Sequence, residues 1–217
     1  MNNAGKVGCG CLLFILICCM VIIGLLIHPA TLKFIGNQFR YEDKIFASDA
    51  LLVPRFVEDK NGDLYIDAFR EFWAGNGKTI IIEDDRIFGV SIVDFIFKMA
   101  KARGLNENVI KKVEISGKGK AKISILHEKL STMGLKKVIV IVPEYTSRRF
   151  HILFNSLKDD RVLYLIKPAT VPYFNKDSWW KDGTSRLLLM KELCAIVSYH
   201  LERFKYGEKK EDKDKKG

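Results

Sequence analysis

Short apolar runs and longer helical stripes alternate along the chain. The runs are rich in β-branched residues and bounded by turn residues, as strands buried on both faces of a parallel sheet are; they are Asp49–Val53, Thr79–Ile82, Val109–Ile115, Val138–Val142 and Arg161–Ile166. Apolar residues at three- and four-residue spacing predict helices after each run, at about 63–74, 91–103, 123–133, 147–157 and 184–204. This alternation predicts an α/β fold with a doubly wound, mostly parallel sheet in a Rossmann-like three-layer arrangement.

A charge-free apolar segment, Cys9–Ile27, precedes this domain. As a helix it would reach about 28 Å, close to the roughly 30 Å hydrocarbon core of a bilayer. A cleaved signal peptide has a shorter apolar region and a small-x-small cleavage site, and Ile27-His28-Pro29-Ala30 fits that site poorly. We therefore predict one uncleaved transmembrane helix.

Five segments follow from this pattern. Residues 1–8 form a short N-terminal tail, 9–27 the membrane anchor and 28–46 a connector of mixed charge. Residues 47–207 form the α/β domain, and the charged tail at 208–217 is expected to be disordered because it has little to bury.

The net charge and the cysteines narrow the possible partners. A formal charge of +10 favours an anionic partner, either a phosphate-bearing ligand or an acidic membrane surface. Nucleic acid is an unlikely partner, because no helix-turn-helix or finger pattern and no basic cluster interleaved with aromatics is present. Only Cys194 lies in the α/β domain, so that domain has no internal disulfide.

The segment after the strand Val138–Val142 carries the first candidate site. Pro143 ends the strand because it has no N–H to donate, and Thr146 or Ser147 is suited to cap the next helix. Arg148 and Arg149 then fall in the first helical turn, at the carboxyl edge where open α/β sheets bind ligands.

A second basic group lies in the Gly- and Lys-rich turn 116–122. Lys118 and Lys120 flank Gly119 there, in another turn that opens a helix. Together with the two arginines they would form an anion pocket strengthened by the helix dipoles. The alternative is that these long side chains are ordinary surface charge.

Acidic and aromatic residues supply further candidates. Glu83, Asp84 and Asp85 follow the second strand and would suit a divalent cation. No second acidic or His cluster supports a metal, so a solvated turn is favoured and no metal is expected.

Trp179 and Trp180 would form a lid or a stacking platform. The alternative is that one fills the core while the other lies at a surface or membrane boundary.

The order of these pieces resembles the bacterial ElyC/SanA/YdcF family of envelope-associated α/β domains. The resemblance covers about Asp49 to Phe204. It is carried by the first two strands, by Gly134–Val142, by Ser147-Arg148-Arg149, and by Trp179-Trp180 with Arg186 and Glu192 in the last helix.

Four places depart from that family's pattern. Pro54-Arg55 replaces a glycine-rich turn, and Glu83–Asp85 replaces a Ser-Gly-Gly sequence. An acidic and Asn-containing motif before the third helix is represented only by Glu114 and Ser116, and Thr146 stands where a His is common. Only Ser147, Arg148, Arg149, Trp179 and Trp180 therefore carry over as positions.

The resemblance implies a single-pass anchor in the bacterial cytoplasmic membrane with the domain on the outer side, although the charges flanking the apolar segment mildly favour the cytoplasm. It also implies a role in cell-envelope, peptidoglycan or lipid-carrier homeostasis, with S-adenosylmethionine or another nucleotide as a possible ligand.

Three functions stay open from the sequence. The first is a membrane-anchored protein that binds a phosphate-bearing or nucleotide-like metabolite. The second is a transferase or hydrolase on a lipid-linked or nucleotide substrate, with Asp84 or Asp85 as acid, base or metal ligand. The third is an envelope scaffold without a small-molecule site. No Gly-x-Ser-x-Gly elbow is present, and the sequence does not decide whether the protein is an enzyme.

Overall fold

A computed structural model describes the backbone of residues 4–84, 92–115, 117, 119–157 and 159–214, and the side chains of these residues between 11 and 202. Two of the candidate site residues, Asp85 and Lys118, lie outside the described residues.

Five strands form one fully parallel sheet in the described part of the chain, which confirms the predicted α/β fold. The order across the sheet is β3-β2-β1-β4-β5. The order reverses between β1 and β4, so the topological switch point lies there. The strands are β1 (Ala50–Val53), β2 (Ile80–Asp84), β3 (Ile110–Glu114), β4 (Lys137–Pro143) and β5 (Leu163–Ala169).

Helices precede, connect and follow these strands. They are α1 (Ala4–Ile27), α2 (Pro29–Asn37), α3 (Asp63–Trp73), α4 (Val93–Ala102), α5 (Gly119–Thr132), α6 (Ser147–Asn155) and α7 (Gly183–Asp214). Short 3-10 segments cover Glu107–Val109, Glu144–Thr146 and Lys176–Lys181.

The two faces of the sheet each bury a separate apolar cluster. In β4, Ile139 and Ile141 join the cluster that includes α3, α4 and part of α7. Val138 and Val140 join the cluster on the other face, which includes α5 and α6. The unbroken apolar run of β4 is explained by this burial on both faces.

The start of α3 is fixed by a buried carboxylate. Asp59 accepts hydrogen bonds from the main-chain N–H groups of Asp63 at 2.8 Å and Leu64 at 3.1 Å. Gly62 precedes the helix with a φ of 74°, a conformation that glycine adopts without steric cost. The turn after β1 is therefore held in one shape.

The predicted connector at 28–46 contains a helix that the sequence pattern did not reveal. Pro29 occupies the first turn of α2, and His28 Nδ1 accepts a hydrogen bond from the Ala30 N–H at 3.3 Å. After α2 the chain runs beside β5, where Asp43 and Ile166 exchange hydrogen bonds. This contact covers part of the outer edge of β5.

The apolar side chains of α1 from Leu12 to Ile27 are largely exposed. No single helix among the described residues is long and apolar enough to span a membrane, but Cys11–Ile27 and Pro29–Asn37, bent by 57° relative to each other, meet the criterion together. In place of the straight anchor predicted at 9–27, the structure therefore offers a bent candidate span, which qualifies by length and composition alone.

Pro143 is the last residue of β4 and pairs with Ala169, which confirms that it ends the strand; a strand tolerates proline at its end because only one donor is lost. One expected boundary is wrong. The last helix does not stop near Phe204, since its backbone remains helical to Asp214, through most of the tail expected to be disordered.

Candidate functional site

The crevice at the switch point is covered by an aromatic side chain. Phe56 follows β1 and packs against both apolar clusters, and its ring centroid lies 5.8 Å from that of Phe150 in α6. Because the clusters lie on opposite faces of the sheet, a side chain that touches both passes over the carboxyl edge. Phe56 therefore occupies the place where ligands bind in open α/β sheets.

Beside this crevice, two acids at the end of β2 are buried. Glu83 and Asp84 are 1% and 2% exposed, so the solvated turn favoured for them from the sequence is wrong. Glu83 accepts a hydrogen bond from the main-chain N–H of Arg55 at 3.0 Å and forms an ion pair with Lys122 of α5. The pairing explains how this carboxylate can be buried.

Arg55 adds an unusual feature to the same edge. Its Nε and Nη1 atoms are buried and have no hydrogen-bond partner among the described residues. Buried guanidinium donors normally have partners. Arg55 thus makes the β1 turn a place where an anion would find free donors.

Glu144, at the end of β4, is the described acid at the switch point that is most suited to proton transfer. It is 5% exposed, and this burial raises its pKa. Arg40 Nε and Lys176 Nζ each lie 3.9 Å from its Oε2 atom and oppose that rise. A carboxyl group with a raised pKa is a frequent property of general acids.

The two arginines predicted to share an anion pocket have different surroundings. Arg149 forms a bidentate pair with Glu192 of α7, at 2.6 Å and 2.8 Å. Arg148 lies against the chain that follows α2, where Arg148 Nη2 is 3.5 Å from the Arg40 oxygen, and its Nε atom is buried without a partner among the described residues. Arg149 therefore has an internal partner, and only Arg148 keeps a free donor.

Thr146 and Ser147 do not cap α6 with their side chains. The Thr146 hydroxyl donates to the Pro143 oxygen at 3.1 Å, and the Ser147 hydroxyl donates to the Glu144 oxygen at 2.9 Å. Ser147 Oγ also accepts from the Tyr41 N–H at 2.7 Å. The predicted caps are wrong because a 3-10 turn precedes α6 and directs both hydroxyls back to its carbonyl groups.

Trp179 and Trp180 lie in the 3-10 segment that packs beside α2. Trp179 donates its indole N–H to the Leu32 oxygen at 2.8 Å and packs against the core cluster. Trp180 meets it edge to face, with ring centroids 6.0 Å apart. Nearby, Lys33 and Asp177 form an ion pair at 2.8 Å. These contacts join α2 to the segment before α7.

A half-open cleft lies between α5, α6 and residues 199–202 of α7. Its volume is about 940 Å³, which is in the range of small-molecule sites. Among the predicted ligand residues that the structure describes, only Lys120 lines it. The described lining residues are Lys120, Ala121, Ser124, His151, Ile152, Asn155, Ser156, Tyr199, His200 and Glu202.

His151 is the most firmly held polar side chain of this cleft. Its ring stacks on Tyr41 with centroids 3.5 Å apart, and Asn155 Nδ2 lies 3.0 Å from its Nε2 atom. Burial lowers the pKa of His151. The Asp43 carboxylate opposes this shift, and the Arg148 charge adds to it. The ring is therefore mostly neutral near pH 7, and Lys120 supplies positive charge in the cleft.

Several of these residues were missed from the sequence. Glu144 could have been found, because it is an acid directly after a central strand. The nearby Arg148 and Arg149 were predicted as the site instead. Phe56 and Arg55 gave no distinctive pattern. His151 lies on α6 one residue after the apolar position Phe150, and only its packing against Tyr41, far away in sequence, marks it.

No group of three or more His, Cys, Asp or Glu side chains that could hold a metal ion occurs among the described residues. No protein-family model, curated protein sequence or solved structure matches the chain.

Proposed function

We propose that the chain is a membrane-anchored protein that binds a phosphate-bearing metabolite, and that the ligand lies in the cleft between α5, α6 and α7. The cleft itself carries this proposal, because it combines adequate volume with one cation, two imidazoles and neutral hydrogen-bonding groups, alongside a single acid, Glu202. Lys120 supplies the charge, while Ser124 and Asn155 can donate to phosphate oxygens.

The apolar part of the lining extends the proposal to the rest of the ligand. Ala121, Ile152 and the Tyr199 ring lie in the same cleft as the polar groups. A ligand with a phosphate at one end and an apolar or aromatic body at the other would use both parts. Nucleotides and prenyl phosphates have that division.

The anchor rests on the N-terminal helices. The exposed apolar surface of α1 and the joint length of α1 and α2 support insertion in a membrane. The resemblance to the ElyC/SanA/YdcF family adds the further proposal that the domain faces outward and serves cell-envelope or lipid-carrier homeostasis.

The test is a ligand-induced thermal shift on the full chain in detergent. The probes are a nucleoside monophosphate, a short-chain prenyl phosphate, inorganic phosphate and S-adenosylmethionine. A ligand present at 100 times its Kd should stabilise the protein by about 2.7 kcal/mol.

Lys120→Gln should raise the Kd of the protein for the bound probe about tenfold, because a charge-assisted hydrogen bond is lost. Lys111→Gln is the matched control, since Lys111 is exposed on β3 and does not line the cleft. The absence of a shift with all probes, or equal affinity in both variants, would refute the proposed site.

A second candidate function is a scaffold without a small-molecule site. It is favoured by Phe56, which covers the switch-point crevice, and by Arg149, which is paired with Glu192. A well-folded full chain that gives no shift with any probe would support this alternative. Catalysis by Glu144 would instead require turnover of a bound probe that Glu144→Gln abolishes without weakening binding.

A further inference from the structure

The cleft between α5, α6 and α7 is electrically polarised along its length. Both α5 and α6 connect parallel strands, so both run from the carboxyl edge of the sheet back toward its amino edge. The beginning of α5 and the end of α6 both line the cleft. Because the two helices have the same direction, these two termini lie at opposite ends of the cleft.

The end of the cleft at the carboxyl edge is positive. Lys120 and Ala121 line it and belong to the first turn of α5, which begins at Gly119. The first turn of a helix carries a partial positive charge and directs main-chain N–H groups outward. The Lys120 ammonium adds a full charge at the same place, so this end of the cleft suits a phosphate group.

The opposite end of the cleft is negative. Ser156 follows directly after the last residue of α6 and lines the cleft, and the end of a helix carries a partial negative charge. Glu202 of α7 is the only acid among the described residues that line the cleft.

Glu202 lies near this negative end because of the way α7 packs on α6. Arg149 of α6 pairs with Glu192 of α7. Seven residues further along each helix, Ser156 and Tyr199 line the same cleft. The two helices therefore run side by side in the same direction. Glu202 follows Tyr199 by three residues, on the same face of α7, so its carboxylate lies beyond the last turn of α6.

Ring side chains lie between the two ends. The half-buried Tyr199 packs against the core cluster that includes α5 and α6, which holds its ring in place. His151 is held by its stack on Tyr41. The apolar part of the lining is small, because Ala121 and Ile152 are its only described aliphatic residues. A planar, polar body fits this middle part better than a long hydrocarbon chain does.

We propose that the cleft binds a nucleoside monophosphate whose base carries an exocyclic amine, an inference that rests on the phosphate-binding function proposed above. The phosphate lies at the start of α5, and the amine donates a hydrogen bond to Glu202. The ribose adjoins the phosphate, so the base is the part of the ligand that reaches the negative end. A prenyl phosphate has no donor at its far end and would place an apolar chain against the carboxylate.

The test is isothermal titration of the full chain in detergent with two matched pairs of nucleotides. Adenosine and inosine monophosphate differ in an amine against a carbonyl oxygen on the base, and cytidine and uridine monophosphate differ in the same way. The amine-bearing member of at least one pair should bind about tenfold tighter or more, because it bonds a charged group while the carbonyl oxygen is repelled.

Glu202→Ala should reduce this ratio of affinities to about two or less, because the acceptor that distinguishes the pair is removed. Glu107→Ala is the matched control, since Glu107 is also an exposed acid but does not line the cleft. It should keep the ratio of the parent protein. Equal affinities within both pairs, or an unchanged ratio in Glu202→Ala, would overturn the proposal.

Two further measurements separate this inference from the function on which it rests. If all four nucleotides bind equally and Lys120→Gln weakens each of them, the phosphate site stands and the contact between the amine and Glu202 is refuted. A short-chain prenyl phosphate that binds tighter than every nucleotide would also refute that contact while the phosphate site stands. If neither a nucleotide, nor the prenyl phosphate, nor inorganic phosphate binds, both proposals are refuted.

Discussion

Trp179 lies so close to Gly36 that a β-carbon added to the glycine would be 2.8 Å from Cδ1 of the indole. The ring cannot easily withdraw, because its N–H is bonded to the Leu32 oxygen at 2.8 Å. Gly36 and Trp179 thus fasten α2, and with it the end of α1, to the folded domain.

We expect Gly36→Ala to destabilise the protein by about 1–3 kcal/mol, because a well-packed contact is overfilled. The measurement is denaturant unfolding of the full chain in detergent. Gly24→Ala is the control, since a β-carbon there meets nothing within 4 Å. Equal stability of the two variants would show that the indole contact is not tight.

The pair between Arg149 and Glu192 gives a second prediction. Glu192 is nearly buried, so Arg149→Met leaves a carboxylate without its partner and should cost about 3 kcal/mol. Arg149→Met/Glu192→Leu should recover most of that loss, because no charge is then stranded.

Arg161→Gln is the comparison for this pair. Arg161 forms an ion pair with Glu128 at the surface, where ion pairs add little to stability. The unfolding free energy of Arg161→Gln should therefore hardly differ from that of the parent protein. If Arg149→Met is as mild as Arg161→Gln, Arg149 is free enough to serve a ligand.

Asp159 predicts a specific response to acid. The Arg161 main-chain N–H donates to it at 3.0 Å, and together with His127 this lowers the pKa of Asp159 from 3.8 to about 2. A lowered folded-state pKa stabilises the protein above about pH 4, and the contribution disappears as the pH falls through 2.

Asp159→Asn should therefore reduce stability at pH 5–7 and flatten its decline between pH 4 and pH 2. Denaturant midpoints measured across this range test it, with Asp160→Asn as the neighbouring control. An unchanged slope in Asp159→Asn would contradict the role given to this carboxylate.

Phe56 separates the two candidate locations for a ligand. Phe56→Ala should cost about 2 kcal/mol of stability, as expected for a partly buried aromatic ring. It should leave the affinity for the bound probe unchanged, because Phe56 does not line the cleft. Isothermal titration of the full chain would measure this affinity. A change in affinity of more than about tenfold would indicate that the ligand binds in the switch-point crevice.

Much of the fold was predictable because its signals are local. The β-branched runs gave all five strands, and the apolar spacing gave the helices that cover them. Helix α2 was missed because it is only nine residues long and contains Pro29, Thr31 and Gly36. Its position depends on Trp179, which is far away in sequence.

The candidate site was less predictable. Arg148 and Arg149 do begin a helix after β4, as expected. The partner of Arg149 is Glu192, however, and the cleft is built from three helices that are not consecutive along the chain. No local pattern encodes such distant pairings. The family resemblance and the envelope role stay predictions.

The sequence by itself determined the five strands of this protein, the helices that cover them, its parallel sheet and its basic, N-terminally apolar character, because hydrophobic periodicity and charge are properties of neighbouring residues. Only the tertiary structure decided which charged groups are paired, that Phe56 covers the switch point, and that α7 leaves several apolar side chains exposed. These depend on residues brought together across the fold, where burial and geometry decide which side chains stay available to a partner.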